Sequence, residues 1–311
     1  MIQTVSKTFF HTLAGSRHLK GLASKYGLRN ERSFARRFIA GETVEEAIAA
    51  ARPIEQAGMT QTLDLLGESV ASIAEADVAT RAYLAVIDSV VAAGIGRNIS
   101  LKLTQLGLTV DRATCVDNLR RILDGAGKHE FFVRIDMENS PFTQVTLDVF
   151  ETMWQQGYRN AGVVLQSCLP RSVKDAHRMN ELGARVRIVK GAYKEPRAVA
   201  YQDKSQVDAA YVEITRLLLS EGTYPAIATH DPAMIAAARA HATAKGIAPD
   251  RYEFQMLYGI RRDLQAQLTA DGFRVRVYIP FGREWFPYFM RRLGERPANV
   301  GFVIRGILSE R

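Results

Sequence analysis

Two adjacent arginines, Arg291 and Arg292, stand in the segment REWFPYFMRRLGE near the C-terminus. Each guanidinium offers a planar fork of donors that matches a carboxylate bidentately, so two at the end of one amphipathic helix make a clamp for a small anion. Tyr288 and Glu295 fall on the same helical face and extend its polar stripe. An isolated Arg-Arg pair is ordinarily a solvated basic face. Its chemistry therefore depends on whether other elements close a pocket over it.

Other chemistry-bearing residues cluster at the ends of short β-rich runs. Lys102 and Asp136 end neighbouring runs, with an alternation that can turn both inward. A buried ion pair accounts for them, and so does a Schiff-base lysine, for which Lys190 is a second candidate. In VRIVKGAY (186–193), Arg187 and Lys190 precede Gly191, where exposed backbone lets a phosphate or an electron-rich ring approach closely. In THDP (229–232), Thr229 and His230 precede a helix start at Asp231-Pro232, whose dipole can receive an anion. The six histidines include no HxH or HExxH pair, so a metal site is not expected. No GxSxG elbow or Cys–His pairing supports an acyl-transfer nucleophile.

These residues need a scaffold that points strand ends at one place. From residue 60 the chain repeats a β-rich run, a polar turn and a helical stretch. The runs cover 61–68, 98–104, 131–138, 161–167, 186–191, 224–230, 252–257 and 275–280. Strands alternating with helices imply a parallel sheet, and this number of units implies closure into a (βα)₈ barrel of the TIM type, an α/β fold. No GxGxxG follows an early strand, which argues against a doubly wound dinucleotide-binding sheet. The runs end in Glu68, Lys102, Asp136 and Glu138, Gln166, Arg187 and Lys190, Thr229 and His230, Gln255, and Tyr278. We expect a polar pocket above an apolar barrel, at the C-terminal face where barrels carry their sites. Residues 1–59 read as a helical arm packed on the barrel of residues 60–311, with ERSFARRFIAG and TVEEAIAAARPIEQAG as its helical stretches.

The composition fits such a domain. The chain has 311 residues, 47% hydrophobic and 24% charged, which suffices for a sizeable core. Its two cysteines, Cys115 and Cys168, form no CxxC or zinc pattern and fit a reducing cytoplasm. The net charge of +8 is scattered, without a nucleic-acid-binding signature, so no nucleic-acid partner is expected. Peripheral contact with an anionic membrane, at its inner face, stays open. The N-terminal stretch lacks the continuous apolar core of a signal peptide, and no apolar run is long enough to span a bilayer.

The strings IDME (135–138), VVLQS (163–167), VRIVKGAY (186–193), ATHD (228–231), YEFQML (252–257) and VYIPFG…YFMRRLGERPANVGFV (277–303) together resemble proline dehydrogenase, in its short monofunctional bacterial form. The resemblance implies a distorted (βα)₈ barrel that oxidises L-proline to Δ1-pyrroline-5-carboxylate and reduces FAD, with a membrane quinone as final acceptor. A separate pyrroline-5-carboxylate dehydrogenase would act downstream. By similarity, Arg291 and Arg292 clamp the proline carboxylate, Lys102 contacts it from the floor, and Asp136 holds Lys102 and the pocket in place. Tyr278 and Tyr288 pack on the proline ring, Leu257 forms an apolar wall, and Arg187 stands by the flavin's central ring. Met137, Gln166, Lys190, Gly191, Ala192, Thr229 and His230 match cofactor contacts, with Glu295 at the ribityl chain. Glu68 matches an acidic residue that pairs with a substrate-binding arginine and gates the site. Two other readings remain at this stage: a Schiff-base aldolase using Lys102 or Lys190, and a non-enzymatic basic scaffold for acidic lipid or nucleic acid.

Overall fold

The structure, a computed structural model, describes residues 34–67 and 69–295, without the side chains of residue 34 and residues 293–295. In chain order the elements are α1 (Val44–Gln56), β1 (Thr60–Leu65), α2 (Ile73–Ala93), β2 (Asn98–Leu101), α3 (Arg112–Gly127), β3 (Phe132–Ile135), α4 (Thr143–Gln155), β4 (Ala161–Gln166) and α5 (Ser172–Glu181). They continue with β5 (Arg185–Val189), α6 (Lys204–Glu221), β6 (Ala226–Ala228), α7 (Pro232–Ala244), β7 (Glu253–Leu257), α8 (Arg262–Ala270), β8 (Val275–Phe281) and α9 (Trp285–Glu295). Every strand is parallel to its neighbours, and β1 pairs with β8 to close the barrel.

Local chemistry sets the helix boundaries. Thr43 and Glu46 form a reciprocal capping box at the start of α1. Ser72 and Asp111 cap α2 and α3 through their side chains. Gly94 ends α2 in the left-handed conformation, with φ of 66°. Within ERSFARRFIAG, where a helix was expected, the described part is a single 3-10 turn at Phe34–Arg37.

All eight expected runs are strands, but most are shorter than their sequence runs. β2 stops at Leu101 because Leu103–Leu106 turns into a 3-10 helix, and β3 stops at Ile135. The polar tips Lys102 and Asp136 therefore lie just past the strand ends, where backbone can bend inward.

One expectation is overturned. The outward positions of the strands, such as Leu63, Ile99, Val133, Val163, Ile188, Phe254 and Val277, form the apolar core beneath the helices. The alternate, inward positions carry Thr62, Asp64, Asn98, Ser100, Arg134, Arg187, Glu253 and Gln255, all buried. The barrel lumen is polar and charged rather than apolar. Most of these groups are tolerated because they are partnered: Thr62 donates to Asn98 at 2.6 Å, and Arg134 donates to the Val163 carbonyl at 3.0 Å.

The barrel is also rearranged at its seam. The groove outside β1 and β8 is filled by α1, through Ala47 and Ala51. The last helix, α9, packs instead with Phe38, Ile39 and Leu66, the residue just past β1, which sets it by the C-terminal mouth. Two backbone bonds, Ala40 N–H to the Pro280 carbonyl and Gly282 N–H to the Gly41 carbonyl, each 2.9 Å, tie the preceding segment to the end of β8.

Candidate active site

Arg187 is the hub of the lumen below the mouth. It projects from β5 beside Ala226 of β6, whose small side chain leaves room for a guanidinium. Its Nε donates to Gln255 Oε1 at 2.5 Å, Nη1 to Asp136 Oδ1 at 2.6 Å and Nη2 to Ser100 Oγ at 3.2 Å. Three strands thus fix one cation. Asp136 accepts a second bond on Oδ2 from Tyr278 Oη at 2.7 Å, and the Tyr278 ring lies 5.2 Å from the Arg187 guanidinium carbon.

Lys102 takes a different partner from the one expected. Its Nζ lies 3.8 Å from Asp64 Oδ1, whereas Asp136 is committed to Arg187 and Tyr278. Burial disfavours the Lys102 charge, but Asp64 and Asp136 outweigh it and raise its pKa above the ordinary lysine value. A Schiff-base lysine needs the neutral amine, so this environment opposes that chemistry. Asp64 is fully buried, and that burial raises its pKa, with Asp136 adding and Lys102 opposing. The second aldolase candidate, Lys190, has its ammonium between Asp208 at 2.6 Å and Asp231 at 2.8 Å.

Arg291 and Arg292 lie in α9 and are half-buried. The Arg291 charge acts on Lys102, where it opposes protonation. The Arg292 guanidinium carbon sits 5.2 Å from the Tyr288 ring centroid, and Tyr288 is buried within the α9 cluster. Cationic side chains at the mouth suit an anionic ligand.

The mouth from β4 to β7 holds the remaining predicted residues. Gln166 is buried and donates to the Glu138 carbonyl at 2.8 Å, while Glu138 accepts from Thr104 Oγ1 at 2.7 Å. The Met137 side chain belongs to the apolar core, which leaves only its backbone for a ligand. Gly191 has φ of 107°, and a Cβ there would lie 2.4 Å from Cys168 Sγ, so only glycine keeps this stretch open. Ala192 follows in the same loop. Thr229 Oγ1 accepts from Asp231 N–H at 3.1 Å. His230 Nε2 accepts the Leu257 N–H at 2.9 Å, tying the end of β6 to that of β7. Glu68 and the Glu295 side chain lie outside the described residues.

Sequence reasoning passed over Asp64, Ser100, Tyr193 and Glu253. The period-2 alternation would have found Asp64 from Thr62 and Ser100 from Lys102. Tyr193, whose hydroxyl also favours the Lys102 charge, sits in an irregular loop without such a signal.

A family model described as proline dehydrogenase matches residues 47–305. The chain is 43% identical to a proline dehydrogenase of Deinococcus radiodurans over 89% of its length and 91% of the relative's. It is 38% identical to proline dehydrogenase 1 of Bacillus subtilis over 97% and 98% of the two chains. Among solved structures it resembles proline utilization A of Bdellovibrio bacteriovorus inactivated by N-propargylglycine, with a TM-score of 0.80 and 27% identity. That match covers 89% of this chain and 34% of the longer protein.

Proposed function

The chain belongs to the proline dehydrogenase family, and on that premise we propose that it oxidises L-proline to Δ1-pyrroline-5-carboxylate with FAD as its cofactor. The observation that supports this reading is the Arg187–Asp136–Tyr278 network fixed in the lumen, with the Lys102 cation at the end of β2 and the Arg291–Arg292 pair in α9 by the same mouth. Proline brings a carboxylate that must be paired when it leaves water, since an unpaired buried charge costs several kcal/mol, roughly. Arg291, Arg292 and Lys102 supply the partners.

The mouth also fits a flavin. The glycine-only opening at Gly191, the buried Gln166 amide and the Thr229–His230 corner line a side where a ring system and a phosphate chain can approach backbone. Gln166, Lys190, Gly191, Ala192, Thr229, His230 and the Met137 backbone would hold it, with Glu295 toward the ribityl chain. When bound, FAD supplies the two-electron acceptor for the hydride that leaves the ring carbon beside nitrogen. The protein's residues do the rest. The cationic clamp would orient the substrate, Tyr278, Tyr288 and Leu257 would exclude water, and the fixed Arg187 charge would stabilise negative charge gained in the reaction. The amine gives up a proton in the same oxidation, leaving the ring C=N bond of the product.

The electrons then pass to a membrane quinone, and the charge of +8 favours approach to an anionic bilayer surface from the cytoplasmic side. Among the described residues no helix is long and apolar enough to cross a membrane. A pyrroline-5-carboxylate dehydrogenase would consume the product downstream. The test is the visible spectrum of the purified protein. We expect a flavin band that bleaches anaerobically on adding L-proline, and a protein that neither carries nor takes up FAD would overturn the reading.

A further inference from the structure

Gln255 meets Arg187 through its amide, and an amide has two nearly isosteric faces. Only the carbonyl oxygen can accept from a guanidinium, because the NH₂ face would oppose one donor with another. Packing alone does not distinguish the two orientations. Glu253 does: it lies two residues earlier on β7, so both side chains face the lumen, and Gln255 Nε2 donates to Glu253 Oε1. A carboxylate only accepts, so it takes the NH₂ group and leaves Gln255 Oε1 for Arg187 Nε. Glu253 and Gln255 are 2% and 4% exposed, so water offers neither a substitute partner.

The carboxylate is itself held in its ionised form. Arg276 on β8, in register with Gln255, donates Nε to Glu253 Oε1 at 2.9 Å and Nη1 to the Gln61 carbonyl at 2.7 Å. Burial alone would raise the Glu253 pKa, but Arg276 and the Gln255 amide bring it below the ordinary value. A chain of bonds therefore links the barrel floor to the site: Arg276 and Gln255 both donate to Glu253, and Arg187 donates to Gln255 and to Asp136.

We propose that Glu253 is a positioning residue for Arg187, acting through Gln255 by fixing which face of that amide meets the guanidinium. This rests on the reading that Arg187 stands at the flavin. Glu253 touches neither substrate nor cofactor. Its replacement by an amide would let Gln255 sample the flipped orientation and free Arg187 Nε.

The experiment uses the flavin-loaded enzyme and three variants: Glu253→Gln, Gln255→Met and the double substitution. Glu253→Gln should slow flavin reduction by L-proline on the order of tenfold, with the proline KM within about twofold of the original. Gln255→Met keeps the Glu253–Arg276 pair and should show a similar loss. The midpoint potential of the bound flavin should shift in the same direction in both. The double variant should be no slower than Gln255→Met, because Glu253 acts only through that amide. Urea unfolding, which needs no flavin, should show a coupling between the two substitutions beyond the loss of the Glu253–Arg276 pair, which Glu253→Gln brings in either background. Losses that multiply, or an unaltered potential and reduction rate in Gln255→Met, would overturn the proposal, and this variant decides the matter if Glu253→Gln does not fold. An unsubstituted protein that proline does not bleach would fail the functional reading instead, while the unfolding cycle still reports on the Glu253–Gln255 coupling.

Discussion

Arg187 Nη1 and Asp136 Oδ1 meet at 2.6 Å across the barrel lumen, from strands that are not neighbours. β4 lies between them, so the pair spans the space above the strand it skips. Neither partner is spare: Arg187 is also held by Gln255 and Ser100, and Asp136 by Tyr278. A cation bonded to three strands cannot follow a moving charge. It acts as a preorganised dipole and loses little to reorganisation when the charge distribution of the site changes.

Replacing Arg187 by Met should therefore cost rate rather than binding. We expect the rate of flavin reduction by proline to fall about 10²- to 10³-fold, the scale for losing one preorganised donor. FAD content should fall little, since Gln166, Gly191 and Thr229 remain. Anaerobic stopped-flow reduction with a flavin count per chain separates the two, and unchanged reduction would remove Arg187 from its assigned place.

Arg292→Met should have the opposite signature. Its guanidinium lies over the Tyr288 ring within α9. Losing one member of a carboxylate clamp should raise the proline KM by about a hundredfold, ~3 kcal/mol, with flavin still bound. Loss of flavin on this substitution would mean that the arginine holds cofactor and not substrate.

Much of this arrangement is legible in the chain, and the reasons differ by element. The barrel is readable because each strand is a short apolar run with a polar tip between amphipathic helices. Lys102, Asp136 and Arg187 are readable because a charged residue at a strand end is unusual. The polar lumen is not, since the apolar residues that mark a strand also satisfy its outer face, and although alternation puts Ser100 on the face of Lys102, nothing local tells whether Glu253 meets water or another strand. The Lys102–Asp64 approach is equally hidden, because it depends on the bend after β2. The position of α1 over β1 and β8 is set by the backbone contacts of Ala40 and Gly41, which have no sequence signature.

Gly259 tests that seam. Its φ is 72°, and a Cβ there would lie 1.6 Å from the Arg37 carbonyl oxygen, a backbone atom that cannot rotate away. Gly259→Ala should displace the segment of Phe38 and Ile39 on which α9 packs, and destabilise by about 3 kcal/mol or more. We expect a lower Tm and a raised proline KM together, because α9 carries Arg291 and Arg292. A variant with native Tm and KM would show that this contact is not needed to seat the helix.

The charge on Lys102 offers a test with a definite sign. Its folded pKa is raised above the unfolded value of about 10.4, so its stabilising contribution is fully present below that pH and is lost as pH rises through the folded value. Asp64→Asn removes one of the two carboxylates that raise it, while burial, the largest influence, and Arg291 still lower it. The Lys102 pKa should then fall, and the variant should lose roughly 3 kcal/mol at neutral pH as an uncompensated buried cation. In the original enzyme Lys102 stays charged across the assay range, so the proline KM should show no lysine-dependent rise below pH 10, roughly. In Asp64→Asn an alkaline rise in KM should move into that range, because neutral Lys102 no longer pairs with the substrate carboxylate. Profiles of KM against pH that superimpose for the two proteins would show that Asp64 does not hold the lysine charged.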